Sequence, residues 1–126
     1  MTSAAVIGIA PILLVQNAVS TAKFYRDVLG FEIIGYFPNE PSAVYAMVRR
    51  GQAEIHFAKI EKELENSNRN IRLDTSDFTI WVPEIEQFFD EVQSGGAEIV
   101  QKIVLRSYGR EFIVKDCDGH HILVVD

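Results

Sequence analysis

At 126 residues and 48% hydrophobic, the chain is long enough for one compact domain with a core of its own. A net charge of −6 argues against nucleic acid and anionic membrane surfaces, and a single cysteine excludes an internal disulfide and suits a reducing cytoplasm. The apolar run from Ala4 to Val15 is broken by Gly8 and Pro11, lacks a basic start and is too short to span a bilayer. The expectation is a cytoplasmic protein with no nucleic-acid or membrane partner.

In chain order, Val6 to Val15 is predicted as a strand, and Asn17 as the cap of a helix whose Ala18, Ala22, Tyr25 and Leu29 share one face. Gly30 stops that helix. Phe31 to Phe37, Ala43 to Val48 and Ala53 to Ile60 follow as strands, separated by a turn with two prolines and by Arg49-Arg50-Gly51-Gln52. Residues 61–76 are dominated by Glu, Asn, Arg and Lys and are read as a linker, with Leu64, Ile71 and Leu73 able to pin it to a surface. The pattern then restarts. Phe78 to Val82 is a strand, Pro83 opens a helix with Ile85, Phe88, Phe89 and Val92 on one face, and Gly95-Gly96 ends it. Ala97 to Leu105, Glu111 to Val114 and the stretch after Gly119 complete the strands, the last two joined by the turn Asp116-Cys117-Asp118-Gly119.

The two halves also match in wording. Val15-Gln16-Asn17 answers Val82-Pro83-Glu84, and Phe24-Tyr25-Arg26-Asp27-Val28 answers Phe88-Phe89-Asp90-Glu91-Val92, at a lag drifting between 64 and 67 residues. Two copies of a strand–helix–strand–strand–strand unit are too few for a solenoid but suit a pair of curved sheets sharing a cleft. The phrase Phe24-Tyr25-Arg26-Asp27-Val28-Leu29-Gly30-Phe31, the repeat and the final Asp-rich hairpin together resemble the vicinal-oxygen-chelate superfamily of glyoxalases, bleomycin-resistance proteins and extradiol dioxygenases. The resemblance spans essentially the whole chain. It implies an α+β fold of two tandem βαβββ modules, about 5–60 and 77–126, forming curved mixed sheets around a central cleft within one domain, 1–126. It also implies a homodimer, in which the modules pair either within one subunit or between the two.

Metal enzymes of that superfamily hold an ion with residues on four equivalent cleft strands. Matched by position, this chain offers Ala10, Glu54, Asp77 and Leu123. Two of these carry no donor atom, and a divalent transition ion wants three or four ligands with imidazole among them. No cofactor is therefore expected. Strand alternation puts Glu54 and His56 on one face of the fourth strand, Asp77, Thr79 and Trp81 on one face of the fifth, and His121 and Leu123 on one face of the last. His120 falls on the opposite side, toward the convex surface or solvent, and is given no role. Arg49, Arg50, Lys102, Arg106 and Arg110 read as solvated edges. Cys117, between two aspartates, is a poor thiolate.

The expected ligand-binding residues are thus Glu54, His56, Asp77, Trp81 and His121, and the reading is a metal-independent small-molecule-binding protein that sequesters a cationic or aromatic ligand. Two alternatives stay open. One is a metal-dependent lyase, isomerase or dioxygenase using Glu54, His56 and His121 around a divalent ion. The other is a dimerising module whose cleft is filled by its own side chains.

Overall fold

The computed structural model describes residues 3–62 and 67–126. The order is β1 (Ile12–Val15), α1 (Ala18–Asp27), β2 (Glu32–Phe37), β3 (Tyr45–Arg50), β4 (Ala53–Lys59), α2 (Asn68–Ile71), β5 (Phe78–Trp81), α3 (Ile85–Ser94), β6 (Glu98–Arg106), β7 (Gly109–Lys115) and β8 (His121–Val125). They build two four-stranded mixed sheets, β1-β4-β3-β2 and β5-β8-β7-β6. This is the α+β pair of βαβββ units that the repeat implies.

Period-two alternation decides which face each strand buries. Leu13 and Val15 of β1, Ala46 and Val48 of β3, and Ile55 and Phe57 of β4 turn inward beneath α1. Phe112 and Val114 of β7 and Ile122 and Val124 of β8 do the same in the second module, where Ile85, Phe88 and Val92 of α3 are the buried helix face. These residues form one continuous cluster across both modules. The opposite, concave face of each sheet carries the mixed polar and apolar residues.

The repeat is more regular in register than in wording. Ile12 pairs with His56 in the parallel β1–β4 ladder, and Thr79 pairs with Leu123 in the parallel β5–β8 ladder. The residue of the second module that answers His56 is therefore Leu123, and the one that answers Glu54 is His121. This corrects the positional matching above, which set Glu54 against Leu123: a strand's side chains repeat every two residues, so both share the face and only the ladder fixes the level.

Three further expectations change. The predicted first strand, Val6 to Val15, shortens to Ile12–Val15, the four residues that pair with His56 to Lys59 of β4. The stretch read as a linker contains α2, whose cap Ser67 is buried; Ile71 and Leu73 are exposed rather than pinned down, and Leu64 lies outside the described residues. Helix α3 begins at Ile85, two residues after Pro83, with Glu84 at its cap position.

The modules meet at a polar seam. The Tyr25 hydroxyl, on α1, donates to Asp116 Oδ2 at 2.7 Å, and Thr21 Oγ1 donates to Asp118 Oδ2 at 2.5 Å. So the helix of the first module grips the β7–β8 turn of the second. Gly119, at the tip of that turn, has φ +91, which only glycine adopts without strain. On the other side Arg50 donates from Nη1 to the Leu29 carbonyl at 2.8 Å, pairs with Glu91, and lies 5.0 Å over the Phe88 ring. Arg50 is thus a seam residue as well as an exposed one. Gly30 is needed beneath it, since a Cβ there would meet Arg50 Nη1 at 2.5 Å.

Candidate functional site

The concave face of the first sheet holds a three-residue chain. His56 Nε2 lies 2.6 Å from Glu54 Oε2, and His56 Nδ1 lies 2.7 Å from the Tyr45 hydroxyl. A carboxylate only accepts, so Nε2 carries the proton, and in the neutral ring Nδ1 receives the Tyr45 hydrogen. Sequence reasoning found Glu54 and His56 but missed Tyr45, which becomes a neighbour only through the β3–β4 pairing.

Asp77 and His121 stand elsewhere. The Asp77 carboxylate accepts from Ser67 Oγ at 2.6 Å, from the Asn68 amide at 2.8 Å and from the His121 amide at 2.7 Å. Burial alone would raise its pKa, but these donors outweigh it and hold the carboxyl below its usual range. The Ser67 hydroxyl also lies 2.7 Å from His121 Nδ1. It has one hydrogen, so when it donates to Asp77 the imidazole Nδ1–H must donate to it. Burial keeps His121 below its usual pKa. Although serine, histidine and aspartate converge here, the hydroxyl proton points to the carboxylate and Ser67 is buried. The group latches α2 onto the second sheet. Among the described hydrogen bonds and cavities, none joins His121 to Glu54 and His56.

The residues that would hold the superfamily's ion do not fit one. At the equivalent levels stand Ala10, His56, Asp77 and Leu123; two have only carbon, and Asp77 already has its oxygens occupied.

A second acidic group was not foreseen. Asp116, Asp118 and His120 bring three potential ligand atoms within 4.8 Å of one another. His120 is buried, not solvent-facing, because the seam covers it. Asp116 Oδ1 accepts the amides of Asp118 and His120, and Oδ2 accepts from Tyr25 and faces His120 Nδ1 at 3.1 Å. Burial opposes the charged imidazole, but bonding to Asp116 and the nearby carboxylates of Asp116, Asp77 and Asp118 outweigh it and raise the His120 pKa. Its oxygens are spent on closing the turn and the seam. Partial desolvation with Asp118 and Asp116 alongside pushes the Cys117 thiol up to about 12, so it is no nucleophile at neutral pH.

Open space lies over the second sheet. A cavity of about 610 Å³ is floored by Thr79, Ile113 and Leu123 and rimmed by Arg69, Thr75 and Tyr108. Two acids line it: Asp74, exposed and paired with Arg72, and Glu111, only 4% exposed, whose carboxylate accepts from Gln101 Nε2 at 2.8 Å and from the Tyr108 hydroxyl and lies near Arg106. Desolvation would raise the Glu111 pKa, but Tyr108, Gln101 and Arg106 together lower it. A groove of about 660 Å³ runs from Thr79 past Trp81 toward Arg50 and Gln52, with Phe31, Val82 and Phe88 as apolar wall. Thr79 lines both, and Trp81 and Glu111 flank Val125 on one face of the sheet. Trp81, 71% exposed, closes neither.

The fold recurs among solved structures at low sequence identity. TioX from Micromonospora sp. ML1 superposes with a TM-score of 0.75 at 19% identity, covering 93% of this chain and 95% of that one. The bleomycin-binding protein of Streptomyces verticillus, solved with copper(II)-bleomycin, gives 0.73 at 22%, covering 98% of each. A glyoxalase-related enzyme from Clostridium phytofermentans gives 0.74 at 16%, covering 98% and 97%. Comparison with curated protein sequences gave no match. With residues 8–124 matching its family model, two βαβββ modules in register and the Asp-rich final hairpin in place, the chain belongs to the Glyoxalase/Bleomycin resistance protein/Dioxygenase superfamily.

Proposed function

We propose that this protein binds a small organic molecule without a metal ion, holding a cationic or aromatic ligand on the concave face of its second sheet. The observation that carries the reading is Trp81, an exposed indole in a largely apolar groove that shares Thr79 with the Glu111 cavity. An open aromatic face beside a carboxylate offers stacking and charge together. The donor set speaks against an ion, and the bleomycin-binding neighbour is consistent with sequestration as a use of this scaffold.

We further propose that the working unit is a cytoplasmic homodimer. Residues 3–10 make no hydrogen bond among the described residues, and Val6, Ile7 and Ile9 are 93%, 97% and 88% exposed. An apolar arm of this kind finds cover on a second copy.

The test is a titration of flat aromatic compounds read by the emission of Trp81, the one tryptophan in the chain. Saturable quenching that a chelator leaves unchanged is expected, and Trp81→Ala should weaken binding by roughly 1–3 kcal/mol, the scale of a lost stacking partner. Emission indifferent to every compound, or binding that disappears with the chelator, would overturn the reading.

A further inference from the structure

Glu111 is a charged side chain set into an apolar sheet face, beside Ile113 and Leu123 and opposite Val104 of β6. Burying a carboxylate there is costly, and the β6–β7 ladder that fixes the hairpin does not need it. Its two oxygens are held differently. Oε2 receives Gln101 Nε2, a donor mounted on strand β6. Oε1 receives the Tyr108 hydroxyl and has Arg106 Nε 3.7 Å away. Both partners of Oε1 therefore come from the turn between β6 and β7 and its last strand residue, and Tyr108 is 62% exposed. A surface aromatic bonded to a buried acid by its tip alone is inexpensive to release.

We infer that the Tyr108 hydroxyl is an internal stand-in for a ligand's cationic donor, and that Glu111 is the charge-selecting residue of the cavity, taking an amidinium or ammonium group once the 106–109 turn swings aside. This rests on the proposed ligand site and adds its chemical preference. The floor of Thr79, Ile113 and Leu123 is flat and mostly apolar, which suits a planar body attached to that cation. A cation that replaces Tyr108 exchanges a hydrogen bond from a neutral hydroxyl for one in which donor and acceptor carry opposite charges, in a pocket where Gln101 already orients the acid.

The experiment compares benzamidine with its neutral analogue benzamide, following the amide resonances of Tyr108, Glu111 and Gln101 by NMR. Benzamidine should bind roughly tenfold more tightly than benzamide, the scale of adding one opposite charge at a partly screened site. Tyr108→Phe removes the internal competitor and should tighten benzamidine severalfold while leaving benzamide unchanged. Glu111→Gln should abolish the preference; should that variant fail to fold, the exposed Tyr108→Phe decides alone. Equal affinities, weaker benzamidine binding in Tyr108→Phe, or no shift at these residues at millimolar ligand would each overturn the inference. If both compounds quench Trp81 equally, the binding site stands and only its charge selectivity falls.

Discussion

Asp116 shows how one side chain can be decided by residues far along the chain. Its carboxylate meets donors from its own turn and one from Tyr25, 91 residues earlier. Tyr25→Phe should therefore lower stability by about 1–3 kcal/mol, the cost of removing one partner from a buried hydrogen-bonded pair. The neighbouring histidines titrate in opposite senses. His120 has a raised folded pKa, so its contribution is complete below the unfolded value of about 6.5 and is lost as pH rises through the folded one. His121 has a lowered one, so its contribution is complete above that value and is lost as pH falls. In urea unfolding, His120→Gln should lose most relative to the parent at about pH 6 and less at about pH 8. Parallel pH profiles would contradict the assignment. The sequence alone showed the turn and the poor thiolate of Cys117, but it left His120 between the convex side and solvent, and the residue is buried. Alternation says which side a residue faces and cannot say that α1 of the other module covers that side. Glu111 is hidden for a different reason: it stands on β7, and the superfamily's ligand positions match Ala10, Glu54, Asp77 and Leu123, none of them on that strand.

Among the elements, β1 is the least self-sufficient. Its four residues form an edge strand, and its parallel pairing covers only His56 to Lys59 of β4. The apolar residues before it have no place in their own sheet, although their composition reads as strand. A strand needs a neighbour as well as a propensity. Deleting residues 3–9 should thus leave the chain folded but change its association. Light scattering is expected to give twice 14.2 kDa for the full chain and the mass of a single copy for the shortened one. A full chain that is already monomeric at micromolar concentration would sink the dimer. The connector was the opposite case. Its polar composition concealed Ser67, because a buried hydroxyl is recognisable only once Asp77 and His121 are seen around it.

For the whole molecule, the repeated wording sufficed to give the architecture, since each module repeats its own hydrophobic period and turn residues. The level of each residue on its ladder did not follow from wording, which drifts where the helices and their flanks differ, while both parallel ladders stay in step. The seam was likewise hidden: Arg50 reads as one more surface cation until Leu29, Phe88 and Glu91 gather about it. Arg50→Ala should destabilise through lost packing and the orphaned Leu29 carbonyl, by about 1–3 kcal/mol in thermal or urea unfolding. An unchanged midpoint would show that the modules hold together without it.

The grip of α1 on the last turn also orders events in time. During synthesis Tyr25 leaves the ribosome long before Asp116 exists, so the first module must wait with a buried phenol that has no acceptor. Contacts this distant in sequence form late and slow the approach to the native state. The amides of α1 should consequently gain full protection from hydrogen exchange only when the C-terminal hairpin has docked, which makes the end of the chain the step that commits its beginning.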